Sequence, residues 1–387
     1  MKLILSLLFV FSTSCIFSQN LQKTLVILDA ETKLPVQDAT VTVLKTKQFY
    51  LSNKLGEVTI SIKGESALKI THATYETNTV RASFLKDNNT ILLKKNTKEL
   101  DEIIITKQHP QKILKMLIDN SIAHFTMPAR LKVYEREFLK LDDKYAYFND
   151  GLLNFQLTGN PNIARTDILI EQNRSYGLKD EFVGDDAVGY NLDNISENYY
   201  NFKYLEFLLT TSAKKDFEFI IKSYSKTHSY YIMQIIPTDN AVGLYDHYYI
   251  VYDYKKKLIV EVSSVLSDQM LAKLSDRPHL NPKEIEKSSF KTIYKIDDNQ
   301  YYFFSSREEI KLKRKINKVP RVVEVSNTMV TTAFSTKHFT YKDNEIFKGK
   351  TLYNVPNHIL TNYWDISGLT ATDEELSIIQ KLSELGK

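Results

Sequence analysis

Tyr245-Asp246-His247-Tyr248-Tyr249-Ile250-Val251-Tyr252-Asp253-Tyr254 runs into Lys255-Lys256-Lys257 and then into Leu258-Ile259-Val260-Glu261-Val262-Ser263-Ser264-Val265-Leu266. Aromatic and β-branched residues fill both runs, and these side chains suit a pleated, half-buried surface. The polar break between them is short, so the pair reads as a β-hairpin. Working outward, the same texture recurs at 217–223, 229–236, 290–296, 300–306, 309–316 and 321–340, and upstream at 145–157. Asp297-Asp298-Asn299-Gln300 marks a second hairpin turn. The spacing predicts a mainly β fold class, with one large, curved antiparallel sheet and a few flanking helices.

Two helices stand out. Ile113, Leu114, Leu117, Ile118, Ile122 and Phe125 recur at three- and four-residue steps and give 111–125 one apolar face. Near the end of the chain, Thr372 with Glu375 forms a capping box for a closing helix whose Leu376, Ile379 and Leu382 should face the core.

Between residues 20 and 96 the runs are shorter and the turns more frequent. Thr40-Val41-Thr42-Val43-Leu44 and Glu57-Val58-Thr59-Ile60-Ser61-Ile62 alternate with period two, and Asn53-Lys54-Leu55-Gly56 is a turn before the second of them. Strands at this spacing predict a sandwich of two antiparallel sheets. The order Leu28-Asp29, Leu34-Pro35-Val36, Asp38-Ala39-Thr40-Val41, Asn53 to Gly56, Leu68-Lys69-Ile70, Tyr75 and Leu100-Asp101-Glu102-Ile103-Ile104-Ile105 resembles the carboxypeptidase-regulatory-like domain. That resemblance implies a transthyretin-like β-sandwich of the kind frequent in exported Bacteroidetes proteins, with no catalytic residues of its own. Thr74 departs from the family, which usually carries glycine before the tyrosine. Residues 97–110 read as a linker and 111–387 as a β-rich domain. Within it, 217–266 resembles the sheet of periplasmic lipoprotein-carrier proteins, and 131–137 with the closing segment resembles uncharacterised envelope proteins that carry the same regulatory-like domain.

Residues 1–18 have the form of a signal peptide: Lys2, then an apolar run from Leu3 to Phe11, then small residues, with cleavage expected after Ser18. The rival reading is a lipidated Cys15, although Ser12 stands where such a signal carries leucine. The expectation is an exported protein, periplasmic or outer-membrane associated, alternatively secreted, with no transmembrane helix after cleavage. Cys15 is the sole cysteine, so the mature chain has no disulfide and no cysteine nucleophile or metal ligand.

Composition removes several function classes. A net charge of +4 on 387 residues, in an exported chain, gives no reason to expect nucleic acid. No G-x-G-x-x-G, G-x-S-x-G or H-E-x-x-H occurs. A TonB-dependent receptor needs a plug and a barrel of 22 strands at about 10 residues each plus turns, more chain than 111–387 supplies. A zinc carboxypeptidase is disfavoured by histidines as dispersed as His72, His124, His247 and His358.

The remaining candidates each have an ordinary reading beside the chemical one. Ser223 with Lys226 and Ser288 with Lys291 have the Ser-x-x-Lys spacing of acyl-enzyme nucleophiles, yet on a strand positions three apart point to opposite faces. Asp180, Glu181, Asp185, Asp186 and Asp193 lack the alternation of a calcium loop. Asp246-His247 are strand neighbours and face opposite ways. Lys311, Lys313, Arg314, Lys315, Lys318 and Arg321 alternate with apolar residues as a guarded strand edge does. His72 ends a strand.

No catalytic, cofactor or metal residue is therefore expected. The reading is a non-enzymatic envelope protein that binds an envelope partner protein; the alternative is a periplasmic carrier of a lipid or lipoprotein, an apolar ligand held on the curved sheet. Third stands a hydrolase with an unrecognised site. For an apolar pocket, alternation singles out Tyr231, Met233, Tyr249 and Val251.

Overall fold

The computed structural model describes residues 21–385 apart from 87, 96–102, 161–162, 178–190, 224–229, 242, 244, 276–278, 280–283, 317–318, 338–339 and 354. Residues 1–18, read from sequence as a signal peptide and containing Cys15, the acidic residues Asp180, Glu181, Asp185 and Asp186, and Lys226 and Lys318 lie outside the described residues.

Seven short strands, β1 (Leu21–Asp29), β2 (Thr40–Val43), β3 (Gln48–Leu51), β4 (Glu57–Ile62), β5 (Ala67–His72), β6 (Tyr75–Arg81) and β7 (Asn88–Leu93), form two sheets ordered β4-β1-β7 and β3-β2-β5-β6. Alternate residues meet between them: Leu25, Ile27, Val41, Val43, Val58, Ile60, Leu68 and Ile70 are buried in one core. The expected turn forms where Asn53 Oδ1 accepts from the N–H groups of Leu55 (2.9 Å) and Glu57 (3.0 Å). Gly56 closes it at φ +74, with Ile27 O only 2.3 Å from where a Cβ would stand. One pairing differs from the antiparallel expectation. β7 runs parallel to β1, because the chain visits the other sheet in between and returns in the same direction.

Ten strands follow, β8 (Ala129–Leu141), β9 (Lys144–Asn160), β10 (Ile163–Gly177), β11 (Phe217–Ser223), β12 (Tyr230–Pro237), β13 (His247–Asp253), β14 (Leu258–Val265), β15 (Ile285–Asp297), β16 (Gln300–Ile316) and β17 (Val319–Ser335). They make one antiparallel sheet in the order β10-β9-β8-β17-β16-β15-β14-β13-β12-β11. The hairpin expected over 245–266 is β13–β14, with Asp253 facing Leu258 across its turn. Asp253 Oδ1 caps that turn by accepting from Lys255 N and Lys256 N. The runs 300–306 and 309–316 join as the single strand β16, since Arg307 and Glu308 continue the pairing. β10 has no counterpart in the sequence reading. Its Gln172, Asn173, Arg174 and Ser175 are polar yet buried, because the strand is an edge covered by residues 355–361. Asn173 exchanges both backbone hydrogen bonds with His358 at 2.9 Å, and at the far edge Ile104 N donates to Ile221 O. Both edges are thus covered in part by chain that is not a strand of the sheet.

The helices α1 (Pro110–His124), α2 (Asp268–Ser275) and α3 (Asp373–Leu385) complete the fold. α1 and residues 192–209 cover one face of the large sheet, here called inner, over the largest apolar cluster of the chain. The sandwich and α3 cover the outer face. β3 shows how the sandwich docks: Tyr50 points into the sandwich core, while its neighbours Phe49 and Leu51 pack against Tyr134, Leu152, Tyr302, Phe304 and Val330 of the large sheet. The capping box of α3 is present, with Thr372 N donating to Glu375 Oε2 at 2.8 Å and Glu375 N to Thr372 Oγ1 at 3.2 Å. Its buried side is Ile378, Ile379 and Leu382, whereas Leu376 is 53 % exposed. The expected face is rotated because Glu375, one position earlier, turns inward to Arg136.

Candidate functional site

The inner face is built from rings. Phe125, at the C-terminal end of α1, stacks on Tyr301 at 4.6 Å and meets Tyr200 edge-on at 4.8 Å. Residues 192–209 form no α-helix but a succession of tighter and wider turns, Leu192–Asn194, Ser196–Tyr200 and Lys203–Leu209. Their Leu192, Ile195, Tyr199, Tyr200, Phe202, Leu205 and Leu208 are buried against the sheet. Phe202 takes a left-handed backbone, φ +52, which costs a bulky residue about 1–3 kcal/mol. The surrounding rings hold it there: Tyr294 lies at 5.2 Å and Phe125 at 5.9 Å. Polar ties fix this cover at separate points: Leu192 N donates to Lys350 O at 2.8 Å, and the Thr166 and Ser196 hydroxyls meet at 2.7 Å. Gln111 of α1 donates from Nε2 to Leu208 O (2.7 Å) and Thr210 O (2.8 Å), and the Tyr294 hydroxyl donates to Tyr199 O.

A polar row crosses the same face. Asn149 pairs with Glu137, Glu137 with Asn327, and Asn327 with Glu308, so four neighbouring strands set amide, carboxyl, amide and carboxyl side by side. Glu135 lies two residues along from Glu137 on the same face, and Asn149 Nδ2 donates to Glu137 Oε1 at 3.2 Å. Burial pushes the Glu135 carboxyl up to about 8, with the nearby Asp150 charge adding to it. Burial likewise pushes Glu308 up to about 7. Glu137 is raised well above the usual range, by burial and then by Glu135 and Glu308. Glu135 Oε2, Asn149 Oδ1 and Asn327 Oδ1 are buried with no hydrogen-bond partner. All three are acceptors, and a protonated carboxyl is the donor that such a row needs.

The outer face carries a charged cluster under the C-terminal segment. Asp150, fully buried, accepts from Tyr134 Oη (2.8 Å), from Arg174 Nε and Nη2 (both 2.9 Å) and from Tyr363 Oη (2.6 Å). Arg136 donates to Tyr134 Oη at 3.0 Å and to Leu369 O at 2.9 Å. The Arg174 guanidinium lies 4.1 Å over the Trp364 ring. Every charge here has partners from neighbouring strands or from residues 363–375, which marks the cluster as a strap that holds the segment down. Between the sandwich and the outer face a cleft of about 420 Å³ remains.

The pocket residues singled out by alternation fall on both faces. Tyr231 and Met233 pair with Tyr252 and Ile250 and belong to the inner core. Tyr249 and Val251 pair with Gln234 and Ile232 and point the other way. Both Ser288 and Lys291 sit on β15, three apart and therefore on opposite faces, and Lys291 is paired with Asp38 and Glu261. Asp246 accepts from Ser264 Oγ at 2.9 Å, and burial raises its carboxyl pKa. Lys311, Lys313 and Arg321 pair with Asp143, Glu286 and Asp142 on the strand surface. His72 lines the cleft, where Thr74 N donates to its Nδ1, and burial lowers its pKa to about 4. Among the described residues no group of three or more His, Cys, Asp and Glu is placed to hold a metal ion, and no helix is long and apolar enough to cross a membrane. The polar row and the Asp150 cluster were missed from sequence. Their one local signal is Tyr134-Glu135-Arg136-Glu137, where two acidic residues interrupt a strand that elsewhere mixes apolar and basic ones.

No family model matches the chain, and no curated protein matches it. Among solved structures, a LolA superfamily protein from Nitrosomonas europaea is similar over 60% of this chain and 97% of its own, at 11% identity and a TM-score of 0.24. Lipovitellin is similar over 60% of this chain and 28% of its own, at 10% identity and a TM-score of 0.26. A protein of unknown function from Bacteroides fragilis, described as membrane-associated, covers 81% of this chain at 9% identity and a TM-score of 0.16. TM-scores of this size do not establish a shared fold, and the function is argued from the chain's own geometry.

Proposed function

We propose that the protein binds an apolar chain, such as the acyl tail of a lipid or lipoprotein, on the inner face of the ten-stranded sheet, as an exported carrier. The observation that carries this reading is the cover at residues 192–209. A ring-lined sheet face lies beneath short, irregular turns with one left-handed phenylalanine, a segment without the continuous hydrogen-bond ladder that makes an α-helix costly to open. An acyl chain displacing Tyr199, Phe202 and Leu205 would replace apolar contact with apolar contact. The polar row beside it offers hydrogen-bond acceptors to a head group. The sandwich at residues 20–96, read as a regulatory-like module, then acts as a brace on the opposite face, through Phe49 and Leu51.

Native mass spectrometry of the chain starting at Gln19, purified from a bacterial periplasm, tests this. The expected result is an added mass of lipid size that is lost on denaturation, together with faster amide exchange over 192–209 once the lipid is stripped. A bare polypeptide that also fails to take up a fluorescent fatty acid overturns the carrier. The partner-binding module is the second reading, with Ile103 (60 % exposed) and Ile105 (93 % exposed) on its side.

A further inference from the structure

The four-stranded sheet of the sandwich faces β14, β15 and β16 across the cleft, and the two surfaces differ in chemistry. The sandwich wall carries Thr40, Thr42, Lys69 and Thr71, brought to one face by the pairings Thr40 with Thr71 and Thr42 with Lys69. The sheet wall sets Lys295 between the apolar Ile293 and Phe304, with the carboxylates Glu261, Asp297 and Asp298 farther along it. At about 420 Å³ the space suits a small molecule, and charged side chains reach it from both walls.

Charge accounting within the cleft leaves one ammonium over. Asp38 is held by Arg307 Nη2 (3.0 Å) and Lys291 Nζ (3.5 Å), and Lys291 also reaches Glu261 (3.5 Å), so two carboxylates and two cations cancel. Lys295 has no ion pair among the described residues. Its ammonium lies 3.5 Å from the centre of the Phe49 ring and 5.3 Å from that of Phe304, and donates to Thr42 Oγ1 at 3.2 Å. Asp297 and Asp298 at the turn are the acids left on that side; Asp297 favours the Lys295 charge without pairing to it, and Lys47 and Lys69 line the facing wall. A lysine head has three donors, and one is used.

We propose that this cleft is a binding site for a small polar anion, bearing a carboxylate or phosphate, with Lys295 as its principal ligand and the threonine row as its hydroxyl-matching wall. The anion supplies the counter-charge that the rings cannot, and the remaining Lys295 donors gain charge-assisted hydrogen bonds. Burial pulls the Lys295 amine down to about 7, so an anion beside it also restores its proton. This site is on the face opposite to the apolar one and stands or falls separately from it.

The test uses pyridoxal 5′-phosphate, a phosphate-bearing aldehyde, on the chain from Gln19 at pH 7. The Lys295 amine condenses with the aldehyde, water leaves, and hydride from added borohydride fixes the C–N bond for peptide mapping. Lys295 is expected to label at least about tenfold faster than an average surface lysine, because a far larger fraction of it is unprotonated. Excess inorganic phosphate or excess acetate should protect Lys295 and leave Lys69 labelling unchanged, and whichever of the two protects identifies the anion class. Labelling spread evenly over the lysines, or Lys295 labelling that neither anion reduces, overturns the site. Lys295→Arg keeps the charge and should still bind the protecting anion in calorimetry, whereas Lys295→Met should not; equal binding by both folded variants also overturns it.

Discussion

Tyr363 donates its hydroxyl to the buried carboxylate of Asp150 at 2.6 Å and so ties the C-terminal segment to the middle of β9. Asp150 already holds both nitrogens of the Arg174 fork. Removing the acceptor strands a guanidinium, whereas removing the tyrosine hydroxyl loses one donor. Asp150→Ala is expected to cost about 3–5 kcal/mol, and Tyr363→Phe about 1.5–3 kcal/mol as one hydrogen bond to a charged group. Urea unfolding of both variants checks the order, and an equal loss in the two would contradict it.

The polar row on the inner face makes stability depend on pH. Glu135, at about 8, and Glu308, at about 7, are raised above the ordinary carboxyl value, and Glu137 is raised further. A raised carboxyl favours folding while it keeps its proton. Its contribution is therefore complete below the unfolded value near 4.5 and is lost as pH rises through 7 to 8. Melting temperature measured from pH 5 to pH 9 should fall from pH 5 to about pH 8, where the protons of Glu308 and then Glu135 are lost. Glu308→Gln, an uncharged isostere beside Asn327, should flatten the fall; an unchanged slope would refute the assignment.

Gly368 joins the two modules. Its backbone is left-handed at φ +73, its carbonyl accepts from Leu51 N at 2.7 Å, and a Cβ there would meet Thr332 Cγ2 at 2.8 Å and Phe49 O at 3.0 Å. Gly368→Ala is expected to lift the 367–371 segment from β3 and to cost about 1–3 kcal/mol of strain. Limited proteolysis should then cut the 355–371 stretch sooner than in the parent chain, and cleavage at the parent rate would count against the joint.

How much of this was legible in the sequence depends on where the partner lies. The hairpin at 245–266, the helix at 111–125 and the capping box at Thr372 are local patterns, and the structure has them within a residue or two. β10 was not legible, because its Gln172 and Asn173 are buried by a segment that arrives from residues 355–361. For the same reason Tyr249 and Met233 looked alike by alternation, since which face a residue takes is fixed by the neighbouring strand's register. The row from Asn149 to Glu308 spans four strands, and the cleft joins β2 to β15. No spacing along the chain announces either.

The cover over the inner face depends on Gln111. Its Nε2 is buried on α1 and donates to Leu208 O and Thr210 O, the last turn of the 203–209 segment. Gln111→Met keeps the volume and the helix but strands two carbonyls, at about 1 kcal/mol for each bond lost. Local opening of 203–210 should then become more frequent by about tenfold or more, while α1 exchanges as before. If the inner face takes up an apolar chain by displacing this segment, the variant should also load a fluorescent fatty acid faster than the parent at unchanged final stoichiometry. Faster exchange with unchanged loading would mean that the cover opens without admitting the ligand, and would separate the mobility of the segment from the carrier function.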